Sequence, residues 1–165
     1  MEVIDDDSES GILGPFASGG LSIRGKIVSP KRPGSNTEAI QEGYNLELIT
    51  GRPAAPHFHS WTHYSWQSQE MWPDLYVQIH PTTAENLGVK DGALVLIESR
   101  HGSIHARAWL YSGMRPTSVF IPIGWGERQP FSKWNSVNFL TDKTQRDPIS
   151  EQTNLKSLLC RVKPI

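Results

Sequence analysis

The 165-residue sequence predicts a single mainly β domain, a small barrel with one or two short helices. Three observations carry that prediction. Short apolar runs of strand length recur from Tyr44 to the C-terminus, bounded by Gly, Pro and Asp-Gly turns. One of those boundaries, Arg100-His101-Gly102, has the form of a tight hairpin. The only segment with helical end signals spans barely two turns, between Pro81 and Gly88.

The elements follow in order. Residues 1–43 hold few apolar side chains and many breakers, among them Gly19-Gly20, Ser29-Pro30 and Arg32-Pro33-Gly34-Ser35. They read as an extended N-terminal arm without a core of its own, and residues 44–165 as the barrel. Tyr44–Ile49 is the first strand, and Leu75–His80 alternates as a half-buried strand. Thr82 with Glu85 suggests a capping box for the helix after it, and Gly88 a C-terminal stop. Gly92 suits a positive-φ turn before the strand Ala93–Ser99. Ser103–Leu110 returns with Ile104, Ala106, Ala108 and Leu110 on one face. Ser118–Ile121 is a further strand, and Leu155–Val162 closes the chain. Between them, Pro122–Pro148 has little periodicity, and a loop of that length in a compact domain is usually functional or disordered. Its tryptophan and phenylalanine residues argue against disorder.

Composition excludes several function classes. A net charge of −1 gives no bulk attraction to nucleic acid or anionic membrane. No apolar run approaches the ~20 residues of a membrane-spanning helix. The acidic start, Asp5-Asp6-Asp7, is unlike a signal peptide, so the expected location is cytoplasmic unless a partner carries the chain out. The single Cys160 rules out an internal disulfide and a cysteine-based zinc or iron–sulfur site, and its apolar neighbours read as a buried thiol. His80, His101 and His105 fall on strand or turn positions expected at the surface.

The segment Thr50-Gly51-Arg52 through His57-Phe58-His59-Ser60 concentrates polar donors where a strand ends. Two chemistries compete for it. Histidines at i and i+2 can both face a cation, as in a cupin-like metal-dependent oxygenase. A cupin then needs a Glu shortly after, where this chain has His63, and a second histidine motif, which is missing. The other chemistry is a loop around an anionic organic cofactor, for which a Gly backbone and an Arg guanidinium are suited donors.

Four blocks bear on the choice. They are Leu48-Ile49-Thr50-Gly51-Arg52 with His57-Phe58-His59, then Val77–Pro81 through Asp91-Gly92 to Ser99–Gly102. Val119-Phe120-Ile121-Pro122 with Trp125 follows, and last come Asn138-Phe139-Leu140-Thr141, Asp147-Pro148-Ile149-Ser150 and Lys156. In these blocks the chain from about Tyr44 to Lys163 resembles the C-terminal molybdopterin-dinucleotide-binding domain of the dimethyl sulfoxide reductase superfamily, which includes nitrate reductases, formate dehydrogenases and formylmethanofuran dehydrogenases. The first and last blocks are the specific ones. The second alone also fits a non-catalytic double-psi barrel that binds a protein partner, a reading that leaves Asn138, Asp147 and Lys156 unexplained.

The resemblance implies a double-psi β-barrel and part of the site for a molybdenum or tungsten bis-molybdopterin guanine dinucleotide. It implies cofactor-binding roles for Thr50, Gly51, Arg52, His57, His59, Ser60, Asn138 and Lys156. It places Ile123 and Trp125 beside the substrate funnel. It assigns no catalytic residue and no metal ligand to this chain. Those, with any iron–sulfur cluster, belong to a large catalytic molybdopterin oxidoreductase polypeptide, so the chain is expected to act as part of that enzyme and to be inactive alone. Two departures lie in the first loop: Pro53–Pro56 is one residue longer than the family commonly has, and no basic residues occur in Trp61–Trp66.

Overall fold

The computed structural model describes residues 37–53, 62–126, 133–142, 144, 146, 151–153, 155–156 and 158–165. All belong to one unit, Pro33–Ile165. Six strands close into a barrel in the order β1-β5-β2-β4-β3-β6: β1 (Leu46–Gly51), β2 (Tyr76–Ile79), β3 (Leu94–Ser99), β4 (Gly102–Leu110), β5 (Ser118–Pro122) and β6 (Leu158–Pro164). β1 runs parallel to β5, and β2 parallel to β4; the other neighbours are antiparallel. Two parallel pairs inside a closed six-stranded barrel give the double-psi architecture that the resemblance implies.

Strand alternation builds the core directly. Leu46 and Leu48, Val77 and Ile79, Val95 and Ile97, Ile104, Ala106 and Ala108, Val119 and Ile121, and Leu158, Cys160 and Val162 are all buried. Truncating a fully buried member such as Leu48 or Ile97 to Ala removes its packing and leaves a hole, a loss of about 2–5 kcal/mol. Two inward positions are polar. Thr50 continues the row of Leu46 and Leu48, and Ser99 that of Val95 and Ile97.

Helices are short and peripheral. Among the described residues there are three α-helices, α1 (Thr37–Gln41), α2 (Trp66–Met71) and α3 (Pro81–Leu87), and two 3-10 turns, η1 (Thr62–Tyr64) and η2 (Val137–Leu140). The sequence pattern indicates only α3, because α1 and α2 are single turns with no apolar stripe. α1 lies inside the stretch read as an arm. Its end is tied to the barrel by a two-pronged Arg100–Glu42 pair at 2.9 and 3.0 Å and by Arg161 donating to the Glu42 carbonyl.

α3 corrects one expectation. Its cap is His80, whose Nδ1 accepts from the Thr82 N–H at 3.2 Å, and Thr82 sits inside the first turn. Pro81 explains the shift. Proline presets helical φ and has no N–H to satisfy, so the helix starts there and the preceding side chain becomes the cap. Gly88 ends the helix in the left-handed conformation, φ 69°, as the sequence predicts.

Cys160 is buried and reduced, and burial pushes its thiol up to about 12. Among the described residues no helix is long and apolar enough to cross a membrane.

Candidate functional site

Strand direction fixes where the site residues fall. From the pairings, the C-terminal ends of β1, β3 and β5 and the N-terminal ends of β2, β4 and β6 point to one end of the barrel. Every described residue that the sequence assigns to the cofactor or the funnel belongs to a segment attached at that end.

Gly51 pairs with Pro122, and its carbonyl accepts from the Ile123 N–H at 2.8 Å. The chain leaving β1 and the chain leaving β5 therefore emerge side by side, with Arg52 on one and Ile123–Trp125 on the other. Gly51 is constrained as well as small: a Cβ there would lie 3.1 Å from the Phe120 ring. Arg52 is exposed. Among the described residues it has no carboxylate partner, whereas Arg100, Arg107 and Arg161 each have one. A guanidinium left in this state at a strand end is available to an anion.

Thr50 enters from beneath. It is 1% exposed, and both its donors, the N–H at 3.0 Å and Oγ1 at 2.8 Å, go to the Leu155 carbonyl. This fastens the segment before β6 to the end of β1, and the exposed Lys156 is the next residue. Arg52, Ile123 and Lys156 are thus gathered by backbone bonds at the end of one strand.

Asn138 reaches the same end by another route. It sits in η2, capped by Ser136, whose Oγ accepts the Asn138 N–H at 3.3 Å. The β3–β4 turn supports this segment. Ser99 Oγ donates to the Leu140 carbonyl at 2.8 Å and accepts from the His101 N–H at 3.1 Å. Gly102 lets the backbones touch, since a Cβ there would lie 2.5 Å from the Phe139 carbonyl oxygen. His101, exposed as expected, lies 3.9 Å from the buried Asp142 carboxylate. Asn138 and Phe139 both face outward. Among the described residues the Asn138 side-chain amide makes no hydrogen bond, so its donor and acceptor are both presented.

Trp125 is 5% exposed and packs edge-on to His63, with ring centres 4.1 Å apart, and to Tyr76 at 6.0 Å. Ile123 is half-buried. The His63 ring lies on Gly124, whose φ is +124° and whose Cβ position would be 2.5 Å from Nε2. In the sequence His63 stands where a cupin needs a Glu; in the structure its ring is the wedge that seats the post-β5 loop. His57, His59 and Ser60 lie outside the described residues, as does the Asp147–Ser150 block. Among the described residues no group of three or more His, Cys, Asp or Glu side chains is placed to hold a metal ion.

A cavity of about 440 Å³ lies elsewhere, on the outer flank of β2 and β4. Its walls include Trp72, Tyr76, Trp109, Asp74, Asp91 and Arg107, and none of the expected site residues. The rings of Trp72, Tyr76 and Trp109 fill much of that flank by packing on one another at 5.0–5.1 Å.

The donor set at the barrel end suits a pterin dinucleotide. Pyrophosphate calls for cations, and Arg52 and Lys156 are both exposed cations at this end. Pterin and guanine edges alternate donors and acceptors, which an outward amide such as Asn138 can match.

An amide, a guanidinium and an ammonium at one end of a double-psi barrel are groups of the kinds an anionic organic cofactor needs. Comparison with known proteins makes this specific. The family model for the molydopterin (molybdopterin) dinucleotide binding domain matches residues 46–159. The chain is 32% identical over 143 residues to the dopamine dehydroxylase of Eggerthella lenta, covering 82% of this chain and 14% of that one. It is 32% identical over 139 residues to the assimilatory nitrate reductase catalytic subunit of Bacillus subtilis, covering 84% and 19%. Among solved structures, the acetylene hydratase of Pelobacter acetylenicus shares the fold, with a TM-score of 0.65 at 21% identity over 78% of this chain and 19% of that one. The chain belongs to the molybdopterin dinucleotide-binding domain family, within the dimethyl sulfoxide reductase superfamily. It spans less than a fifth of the length of these curated relatives.

Proposed function

We propose that this chain holds a molybdenum or tungsten bis-molybdopterin guanine dinucleotide against a larger catalytic polypeptide of an oxidoreductase. The observation that supports this most is the gathering of Arg52, Lys156 and Asn138 at one barrel end on a domain of this family. Arg52 and Lys156 take pyrophosphate oxygens. Asn138 takes a pterin or guanine edge, and by family resemblance His57, His59 and Ser60 serve the cofactor as well. Ile123 and Trp125 back the approach to the substrate. When bound, the cofactor supplies the redox chemistry; the chain positions it. The metal ligand and any iron–sulfur cluster belong to the larger polypeptide, so the chain alone is inactive.

The test is cofactor content of the enzyme that contains this chain. Lys156→Ala and Asn138→Ala each remove a contact worth about 1–3 kcal/mol and should lower the guanine nucleotide and pterin retained. Full occupancy in both variants would sink the site assignment. Turnover of a small oxidised substrate by the isolated chain would remove the claim that it supplies only part of a site.

A further inference from the structure

We propose that Thr50 and Ser99 are positioning residues, two buried hydroxyls that set the backbone from which Lys156 and Asn138 meet the cofactor. This rests on the cofactor reading above and assigns to each hydroxyl a job in the backbone that carries the contacting residue.

The two positions are built alike. Thr50 ends the inward row of β1 and Ser99 that of β3. They are 1% and 6% exposed, and each donates its hydroxyl at 2.8 Å to a carbonyl outside the barrel sheet. A valine in place of Thr50 or an alanine in place of Ser99 would continue the apolar core equally well. The hydroxyls are therefore not required by the core; each contributes a bond to a loop.

The bonds act through peptide planarity. The Leu155 carbonyl and the Lys156 nitrogen are halves of one rigid unit, so holding that oxygen fixes the plane that leads into Lys156. Thr50 holds it twice, with N–H and Oγ1. On the other side, the Leu140 carbonyl shares its peptide with the Thr141 nitrogen. That Thr141 N–H donates to the Asn138 carbonyl at 3.2 Å, and the Thr141 hydroxyl does so at 2.9 Å. Ser99 thus fixes the unit that closes the turn on Asn138. Its proton is directed to Leu140, whose carbonyl oxygen can only accept, while the Ser99 oxygen accepts from the His101 N–H. The close approach of Gly102 to the Phe139 carbonyl holds the same turn from below.

The experiment is a coupling measurement on the cofactor-loaded enzyme that contains this chain, reading the rate at which guanine nucleotide and pterin are released. Thr50→Val and Ser99→Ala should each speed release roughly fivefold to tenfold, the effect of one lost hydrogen bond. Thr50→Ser and Ser99→Thr keep a hydroxyl and should release within about twofold of the parent, a rescue that lost packing alone does not give. Thr50→Val should add nothing in a Lys156→Ala background, yet multiply with Asn138→Ala; Ser99→Ala should show the reverse pattern. If either hydroxyl variant does not assemble, Thr50→Cys or Ser99→Cys replaces it, putting a weaker donor in the hydroxyl's place. The proposal is overturned if Lys156→Ala and Asn138→Ala speed release while the hydroxyl variants do not, or if their effects multiply with the residue each is said to position. If Lys156→Ala and Asn138→Ala leave release unchanged, the cofactor reading falls and the positioning role falls with it.

Discussion

Gly124→Ala tests how the post-β5 loop is seated. Two costs add at this position. The backbone has φ +124°, a region L side chains rarely adopt, and holding alanine there costs about 1–3 kcal/mol. The new methyl would also lie 2.5 Å from His63 Nε2 and 2.9 Å from Cδ2. The ring is 3% exposed and bounded by Trp125 at 4.1 Å, so it yields only by disturbing a packed neighbour, at ~1–3 kcal/mol. Gly88→Ala separates the two costs, because Gly88 has φ +69° and nothing within 4 Å of its Cβ position. That variant bears only the backbone cost, about 1–2 kcal/mol. The expected gap is roughly 2 kcal/mol, or about 4–8 °C in melting temperature for a domain of this size. Urea and thermal unfolding followed by tryptophan fluorescence measure it. Equal stability of Gly88→Ala and Gly124→Ala would refute the wedge of His63 on Gly124.

Three further outcomes follow from the structure. Cys160, with its thiol pushed up to about 12, should resist iodoacetamide at pH 8 in the folded protein and react once urea unfolds it; prompt labelling of the native chain would contradict its burial. Glu98 is held below its ordinary carboxyl range by hydrogen bonds from Lys163 and Arg161 at 2.6 and 2.8 Å. Its folded value lies below its unfolded one, so its contribution is full above about pH 4.5 and fades as pH falls through the folded value. The stability gap between parent and Glu98→Gln, measured by urea midpoint, should therefore shrink on acidification below pH 4.5, and a gap that widens would reverse the argument. Arg52→Gln should weaken cofactor retention more at low than at high salt, because a guanidinium–phosphate contact at an exposed position is screened; retention equal to the parent at all salt concentrations would remove Arg52 from the site.

The barrel was legible wherever burial alternated with period two. The inward rows of β3 and β4 are Val95, Ile97 and Ile104, Ala106, Ala108, and the sequence pattern shows them without further help. Boundaries shifted where backbone chemistry overrode pattern, as when Pro81 moved the α3 cap from Thr82 to His80. α1 and α2 were not legible, because single helical turns carry no amphipathic signal and depend on contacts such as Arg100–Glu42. The site residues were legible as types in an order, and the strand directions account for their common end. Their support was not. Ser99 and Thr50 look like ordinary strand ends, yet a hydroxyl continuing an inward apolar row signals a buried bond, because buried polar groups are paired. His63 gave no sequence signal for its wedge role, since its contact with Gly124 spans a separation that periodicity does not report.

In the proposed function, one end of this barrel faces the cofactor. Amide hydrogen exchange on the enzyme containing this chain, with and without bound cofactor, tests it directly. Exchange should slow with cofactor at residues 51–52, 123–126, 137–142 and 155–156. It should stay unchanged in the turns at 89–93 and 111–117, at the opposite end. Protection confined to those opposite turns, or to the Trp72–Trp109 flank, would place the cofactor elsewhere on the barrel.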